Sequence, residues 1–218
     1  MKNIIFIAPP AAGKGTQSKL ISEKYNIPHI STGDLLRDEV ASGSSLGKYL
    51  EQEMDAGRLI TDDIMINLLR QRITQVDCNQ GYILDGYPRT VEQALVYDTL
   101  IQELRKDIGV VIFMDIDKHL ALRRTLSRMV CSACGASYNM EVAELTPKLD
   151  GFCDRCGHTL SVRGDDSEET FLHRFDTYLM ETKPLIEYYR QKGILKELEV
   201  SSMDSANDIF EKIKQIIG

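Results

Sequence analysis

Short apolar runs alternate along the chain with longer stretches of mixed apolar and polar residues. Strands are predicted at 4–8, 28–31, 82–85, 110–115 and 195–200. The first and fourth are nearly continuous in apolar residues, which is typical of strands buried on both faces of a parallel sheet. The five runs therefore predict one sheet at the centre of the protein.

The mixed stretches between these runs carry apolar residues at helical spacing. Helices are predicted at about 15–25, 34–41, 45–55, 62–74, 117–129, 166–191 and 205–217. A further helix opens at Thr90, where Gln93 completes a capping box, and the long helix bends near Pro184. Strands that alternate with helices predict an α/β fold, a mostly parallel sheet with helices on both faces.

Two stretches interrupt this alternation. One is a pair of helices within residues 31–60, and the other is a cysteine-bearing segment, residues 128–163, named here the lid insertion. Both fall where α/β folds place ligands, above the carboxyl ends of the strands. The predicted core is therefore made of residues 1–30, 61–127 and 164–218, with two insertions.

Composition narrows the possible functions. The chain has 218 residues with 26 Lys and Arg against 33 Asp and Glu, a net charge of -7. This acidity argues against a nucleic-acid-binding protein, which is usually basic. No apolar run approaches the ~20 residues of a membrane span, and the apolar start is too short for a signal peptide. We therefore expect a cytoplasmic protein, and a monomer, without membrane or nucleic-acid partners.

A candidate phosphate-binding loop follows the first strand, with the sequence Ala-Pro-Pro-Ala-Ala-Gly-Lys-Gly-Thr at residues 8–16. Backbone N–H groups between a buried strand and a helix cradle polyphosphate, and Lys14 would reach the outer phosphates. The loop residues expected at the ligand are Ala11, Ala12, Gly13, Lys14, Gly15 and Thr16. Ala8 stands where the general pattern has glycine, so an ordinary strand-turn-helix with an exposed lysine remains the alternative.

Four of the five cysteines form two tight pairs separated by eighteen residues, Cys131 with Cys134 and Cys153 with Cys156. Four thiolates at this spacing suit a tetrahedral Zn²⁺ ion. Protein ligands would fill all four positions, so the predicted role of zinc is structural rather than catalytic. The alternative is two free dithiols that bind no metal.

Three short motifs together resemble those of adenylate kinases. They are Gly-Lys-Gly-Thr-Gln at 13–17, Ser-Thr-Gly-Asp-Leu-Leu-Arg at 31–37 and Asp-Gly-Tyr-Pro-Arg at 85–89, and the similarity continues along essentially the whole chain. The cysteine segment is similar to the long form of the family with a large zinc-binding lid. The resemblance implies a P-loop NTPase core, two inserted mobile subdomains, and conversion of ATP and AMP to two ADP, with Mg²⁺ accompanying ATP.

The resemblance also implies a role for individual residues. The AMP site would include Thr32, Arg37, Arg58, Leu59, Ile60, Gly86, Arg89 and Gln93. Around ATP and the transferred phosphate, the implied groups are Lys14, Arg89, Arg124, Arg128, Arg163 and Arg174, with Asp85 holding magnesium through water. Arg124 and Arg128 are expected one turn apart on the helix at 117–129, so that they share a face.

An arginine-rich set of this kind suits phosphoryl transfer, because the transition state spreads negative charge over phosphate oxygens and arginine grips two of them at once. Alternatives remain open at this point. The acceptor could be another nucleoside monophosphate, or the altered loop could leave a nucleotide-binding sensor with weakened turnover. A zinc-ribbon module for nucleic acid is the third, and the net acidity argues against it.

Overall fold

The computed structural model describes residues 3–55, 60–162 and 166–218. Its centre is a five-stranded parallel sheet of β1 (Ile4–Ile7), β2 (His29–Ser31), β3 (Ile83–Asp85), β4 (Val110–Ile116) and β8 (Leu195–Val200), in the order β2-β3-β1-β4-β8. The predicted strands are all present, so the predicted α/β fold with a parallel sheet is confirmed.

Side chains from successive residues of β1 enter two different apolar clusters, one on each face of the sheet. Ile4 and Phe6 pack in the first, and Ile5 and Ile7 pack in the second. All four are almost completely buried. This is why the run shows no polar alternation: both faces of the strand are covered.

Nine α-helices are present in the described part of the chain. They are α1 (Lys14–Tyr25), α2 (Thr32–Ala41), α3 (Ser45–Asp55), α4 (Asp62–Ile73), α5 (Val91–Glu103), α6 (Lys118–Leu126), α7 (Glu168–Thr177), α8 (Pro184–Gln191) and α9 (Ala206–Ile217). The long helix predicted at 166–191 is instead two helices, joined by a π-helical turn at Tyr178–Thr182. Pro184 begins α8, where a missing N–H costs nothing, rather than bending a continuous helix.

The helix predicted at 117–129 is shorter in the structure, where α6 spans Lys118–Leu126. It ends at Leu126, and Arg128–Cys131 forms strand β5. Ser127 caps the end, with its hydroxyl donating to the Arg123 carbonyl (2.7 Å). Arg128 then pairs antiparallel with Asn139, so tertiary pairing overrides the helical spacing. Arg124 and Arg128 therefore lie on different elements and do not share a helix face.

Part of the lid insertion forms a small antiparallel sheet. Strand β5 lies between β6 (Ser137–Asn139) and β7 (Leu160–Val162). The apolar cluster beside it is small, with the buried residues Cys131, Ala136, Tyr138, Cys153 and Leu160. The sequence shows no helical period here, and this sheet was not among the predicted elements. Within the described residues, no helix is both long and apolar enough to cross a membrane.

Candidate active site

The loop between β1 and α1 turns sharply enough to present its backbone to a ligand. Ala11 and Gly13 both adopt left-handed conformations, with φ of 59° and 97°. No side chain of the described residues caps the start of α1. The free N–H groups of the first helical turn and the positive end of the helix dipole are the features that bind phosphate.

Lys14 is the first residue of α1, and its side chain folds back over the loop. Its Nζ atom donates to the carbonyl oxygens of Ala8 (3.0 Å) and Pro9 (3.4 Å). Burial lowers the pKa of Lys14, the negative charge of Asp85 acts in the opposite direction, and the positive charge of Arg89 lowers it further. One lysine thus lies within electrostatic reach of both an acid and an arginine predicted for the site.

Asp85 ends strand β3, so its carboxylate lies at the carboxyl edge of the sheet. Its Oδ2 atom is 3.3 Å from the Nε2 atom of His29. Burial acts to raise the pKa of Asp85, but the His29 contact and the charge of Lys14 outweigh burial, and the net shift is downward. The carboxylate is therefore ionised at neutral pH and can interact with a cation.

These groups open onto one cavity of about 420 Å³. Its described lining residues are Ala11, Ala12, Gly13, Lys14, Gly15, Thr16, Gln17, Asp85, Arg124, Arg128, Ser137, Tyr138, Asn139, Val142, Leu145, Asp204, Ala206 and Ile209. All six loop residues expected at the ligand, 11–16, thus share a cavity with Asp85 and two of the predicted arginines. The opposite wall comes from the lid insertion and from the start of α9.

Most of that opposite wall was missed by sequence reasoning. Val142, Leu145, Asp204 and Ile209 carry no motif, and they lie between 131 and 198 positions after Ala11 in the sequence. Only the folding of the lid insertion over α9 brings them to the cavity. The available signal was that Val142 and Leu145 are apolar residues in a segment without helical period.

The two cavity arginines are held in different ways. Arg124 is only 8 % exposed, and its Nε atom has no hydrogen-bond partner among the described residues. Burial lowers the pKa of Arg124, although Asp204 acts against this shift. Arg128 instead forms a two-pronged ion pair with the buried carboxylate of Asp166. One guanidinium is thus fixed by an acid, and the other keeps one buried N–H without a partner among the described residues.

A second group of predicted residues meets beside the loop at 85–89. Thr32 begins α2, and its hydroxyl contacts the carbonyl of Gly86 (3.4 Å). Gly86 has a φ of 86°, and a Cβ atom there would lie 2.8 Å from the Thr32 hydroxyl, so glycine is required. Arg89 donates from Nε to the same carbonyl (2.9 Å).

The side chain of Gln93 holds this loop in place. Its Oε1 atom accepts from the backbone N–H of Arg89 (2.8 Å), and its Nε2 atom donates to Asp62 (2.7 Å). Thr90 caps α5 by accepting from the Gln93 N–H (3.2 Å). The predicted capping box is thus only half formed, because the glutamine side chain reaches Arg89 rather than Thr90.

The remaining predicted residues lie away from the cavity or outside the described part of the chain. Arg37 pairs with Asp34 on the exposed face of α2 (2.5 Å). Ile60 is partly buried, and Arg174 is exposed on α7. Arg58, Leu59 and Arg163 lie outside the described residues.

The four predicted metal ligands converge in the lid insertion. All four Sγ atoms lie within 4.8 Å of one another, with Cys131 3.4 Å from Cys156 and Cys134 3.5 Å from Cys153. Tetrahedral zinc with Zn–S bonds of about 2.3 Å places its sulfurs about 3.8 Å apart. The donor set and its spacing therefore fit zinc.

Matching backbone turns shape the two cysteine pairs. Gly135 donates its N–H to the Cys131 carbonyl (2.9 Å), and Gly157 donates to the Cys153 carbonyl (2.8 Å). Both glycines are left-handed, with φ of 68° and 72°. The Tyr138 hydroxyl donates to the Cys153 sulfur (3.4 Å) and lowers the pKa of that thiol. Such a contact favours the thiolate that a metal needs.

Comparison with known proteins places the chain among its relatives. A model of the family described as "Adenylate kinase" matches residues 6–194. The chain is 44% identical over 216 residues to an adenylate kinase of Clostridium tetani, covering 99% of this chain and 98% of the relative. It is 45% identical over 215 residues to one from Archaeoglobus fulgidus, covering 99% and 97%. The match over nearly the whole length agrees with the phosphate loop and arginines in one cavity, and the chain belongs to the adenylate kinase family.

Proposed function

We propose that the protein is an adenylate kinase that transfers the terminal phosphoryl group of ATP to AMP, reversibly, giving two ADP. The observation that carries this proposal is the single cavity that joins Lys14 and its loop to Asp85, Arg124 and Arg128. Loop N–H groups and cations facing one another are what a polyphosphate chain requires.

The donor site lies in that cavity. Backbone N–H groups of residues 11–16 bind the phosphates, and Lys14 exchanges its loop carbonyls for phosphate oxygens. Arg124 lines the cavity and contributes its positive charge, and Arg128 is oriented by Asp166. Both are held by the fold before ligand arrives, so little reorganisation is needed during the reaction.

Asp85 would hold the Mg²⁺ that accompanies ATP, through water. Its depressed pKa keeps it ionised at neutral pH, and it faces the phosphate loop across the cavity. The metal would supply positive charge that offsets part of the negative charge of the phosphates. Lys14, Arg124 and Arg128 are the positive charges that the protein itself contributes to the same cavity.

The acceptor site lies around the loop at 85–89. Thr32, Gly86 and Arg89 are already in mutual contact, and Gln93 fixes the Arg89 backbone. Arg89 lies near enough to Lys14 to lower its pKa, so it can contact the phosphoryl group in transit. Arg37, Arg58, Leu59 and Ile60 complete the proposed AMP site, with Arg37 on the phosphate.

Phosphoryl transfer needs positioning and exclusion of water more than covalent help. We assign these tasks to the two insertions, residues 31–60 over AMP and the lid insertion over ATP. Arg163 and Arg174 would close on the phosphates with the lid. Zinc held by the four cysteines supports the lid structurally. Because thiolates must stay reduced to hold zinc, we also propose a cytoplasmic setting, and a monomer.

A steady-state assay with Mg-ATP tests the proposal, with AMP, GMP, UMP and CMP offered in turn. We expect ADP formation with AMP, and at least about a hundredfold loss in Lys14→Ala. Lys19→Ala, an exposed lysine on the same helix, is the matched control and should keep full activity. Preference for another acceptor would reassign the substrate, and ATP binding without turnover on any acceptor would make the protein a nucleotide sensor.

A further inference from the structure

The lid insertion touches the core at a point that contains no proposed phosphate-binding group. Glu144 lies in a short 3-10 turn, Ala143–Leu145, and its Oε2 atom accepts from the backbone N–H of Ala206 (2.9 Å). Ala206 is the first residue of α9 in the core. A lid carboxylate therefore caps a core helix, although 62 residues separate the two in sequence.

The N–H of Ala206 is one that its own helix cannot satisfy. The first four N–H groups of an α-helix have no partner within it. Ser205 and Asp208 satisfy each other in a capping box, at 2.9 and 3.0 Å, and leave the Ala206 N–H to Glu144. The helix dipole favours a negative charge at this end, so the carboxylate is well matched to the position.

The backbone of the same residue, Ala206, also connects the lid insertion to the helix that follows the phosphate loop. The Ala206 carbonyl accepts from Nε2 of Gln17 (2.8 Å), a buried residue of α1 three positions after Lys14. Val142 and Leu145, on either side of Glu144, line the donor cavity together with Ala206. A contact that holds Glu144 on α9 thus holds two apolar side chains over the nucleotide.

We propose that Glu144 is a positioning residue that latches the lid insertion in its closed position by capping α9. The inference rests on the proposed function, since the closed lid covers the donor nucleotide. The Glu144 contact stabilises the closed position of the lid insertion without contacting ATP itself. Removing it should weaken donor binding and leave the acceptor site unchanged, because that site lies at α2 and the loop at 85–89.

Calorimetric titration of Glu144→Ala with Mg-ATP tests the latch without requiring turnover. We expect Mg-ATP binding about two- to fivefold weaker than in the wild type, the size of one carboxylate at a helix N-terminus. AMP binding should stay unchanged. Glu144→Gln keeps an acceptor oxygen and loses the charge, so its affinity should fall between the two. Asp150→Ala, an exposed acid elsewhere in the lid insertion, is the charge-matched control and should bind as the wild type does.

Hydrogen exchange of the Ala206 amide and steady-state kinetics give independent readouts. The amide should exchange faster in Glu144→Ala, and KM for ATP should rise while kcat does not fall. Unchanged exchange and unchanged Mg-ATP affinity would overturn the latch, as would equal weakening of AMP and ATP. A wild-type protein without kinase turnover would instead overturn the proposed function, and the binding and exchange results would still decide the latch.

Discussion

The parallel sheet and the lid insertion obtain their structure in different ways. The sheet separates two large apolar clusters, and side chains such as Ile5 and Leu84 are 0% exposed. The apolar cluster of the lid insertion contains only five buried residues, two of which are the cysteines Cys131 and Cys153. A segment this short cannot bury enough apolar surface to fold alone. A metal ion can supply the missing free energy.

The contacts between the two regions are mainly polar. Arg128 pairs with Asp166, Asn139 donates to the Arg124 carbonyl (2.7 Å), and Glu144 caps α9. Each such contact contributes modestly and can exchange with water. The difference teaches that the lid insertion can be stable in itself and still separate from the core, as a closing element requires.

Removing the metal should produce the largest difference in stability between the two regions. Structural zinc contributes about 10–16 kcal/mol of apparent binding free energy in small zinc domains, so a chelator should unfold the lid insertion and leave the sheet folded. We expect hydrogen-exchange protection to be lost in 128–162 and kept in β1 and β4. Kinase activity should fall at least about a hundredfold as Arg128 loses its position.

Returned zinc should restore both protection and activity, which provides the control for this experiment. Cys153→Ser should reproduce the chelated state without a chelator. Simultaneous loss of protection in the sheet would show that the two regions fold as one unit.

The next largest effect should come from matched leucine truncations in the two regions. Leu84→Ala removes a fully buried side chain from β3 and should lower the free energy of unfolding of the core by about 2–5 kcal/mol. Leu160→Ala removes a side chain that is 9% exposed in the small cluster of the lid insertion. It should weaken zinc binding and leave core stability within about 0.5 kcal/mol. Urea unfolding and a zinc titration measure the two quantities, and equal effects on the core would contradict separate stability.

Acid should also separate the two regions, because different groups respond to it. Protonated thiols release zinc, so the lid insertion should unfold first as pH falls. The pKa of Asp85 is below its ordinary 3.8 in the folded core, so its contribution is fully present above that value and is lost as pH falls through the folded pKa. Asp85→Asn should therefore flatten only the second step of an acid unfolding curve. Asp150→Asn is the matched change in the lid insertion and should leave that step unaltered.

The central sheet could be predicted from the sequence more fully than the lid insertion. Apolar runs such as 110–115 indicate a buried strand from local sequence alone, because a strand covered on both faces has apolar residues at successive positions. The helix predicted at 117–129 was too long because Arg128 and Met129 fit a helix equally well. Only pairing with β6 makes them a strand. Pro184 indicated a local irregularity in the long helix, but not that it would take the form of a π-helical turn at Tyr178–Thr182.

The candidate site divides similarly into local and distant parts. The phosphate loop and the loop at 85–89 are contiguous in sequence, so their residues could be named before the structure. Val142, Leu145 and Asp204 reach the cavity only through folding of the lid insertion and the approach to α9. Glu144 is the clearest case, because a single exposed glutamate has no sequence feature that points to α9.

The smallest predicted effect concerns two neighbouring alanines of the phosphate loop. Ala11 has a φ of 59°, a conformation that costs an L-residue about 1–2 kcal/mol, whereas glycine adopts it freely. Ala11→Gly should therefore stabilise the protein by about 0.5 kcal/mol, after the greater flexibility of glycine in the unfolded chain is subtracted. Ala12 is 1% exposed and has no such strain. Ala12→Gly should destabilise by about 1 kcal/mol, because it loses a buried methyl group and adds flexibility. Urea unfolding of both variants provides the test, and a change of the same sign would show that the Ala11 backbone is not strained.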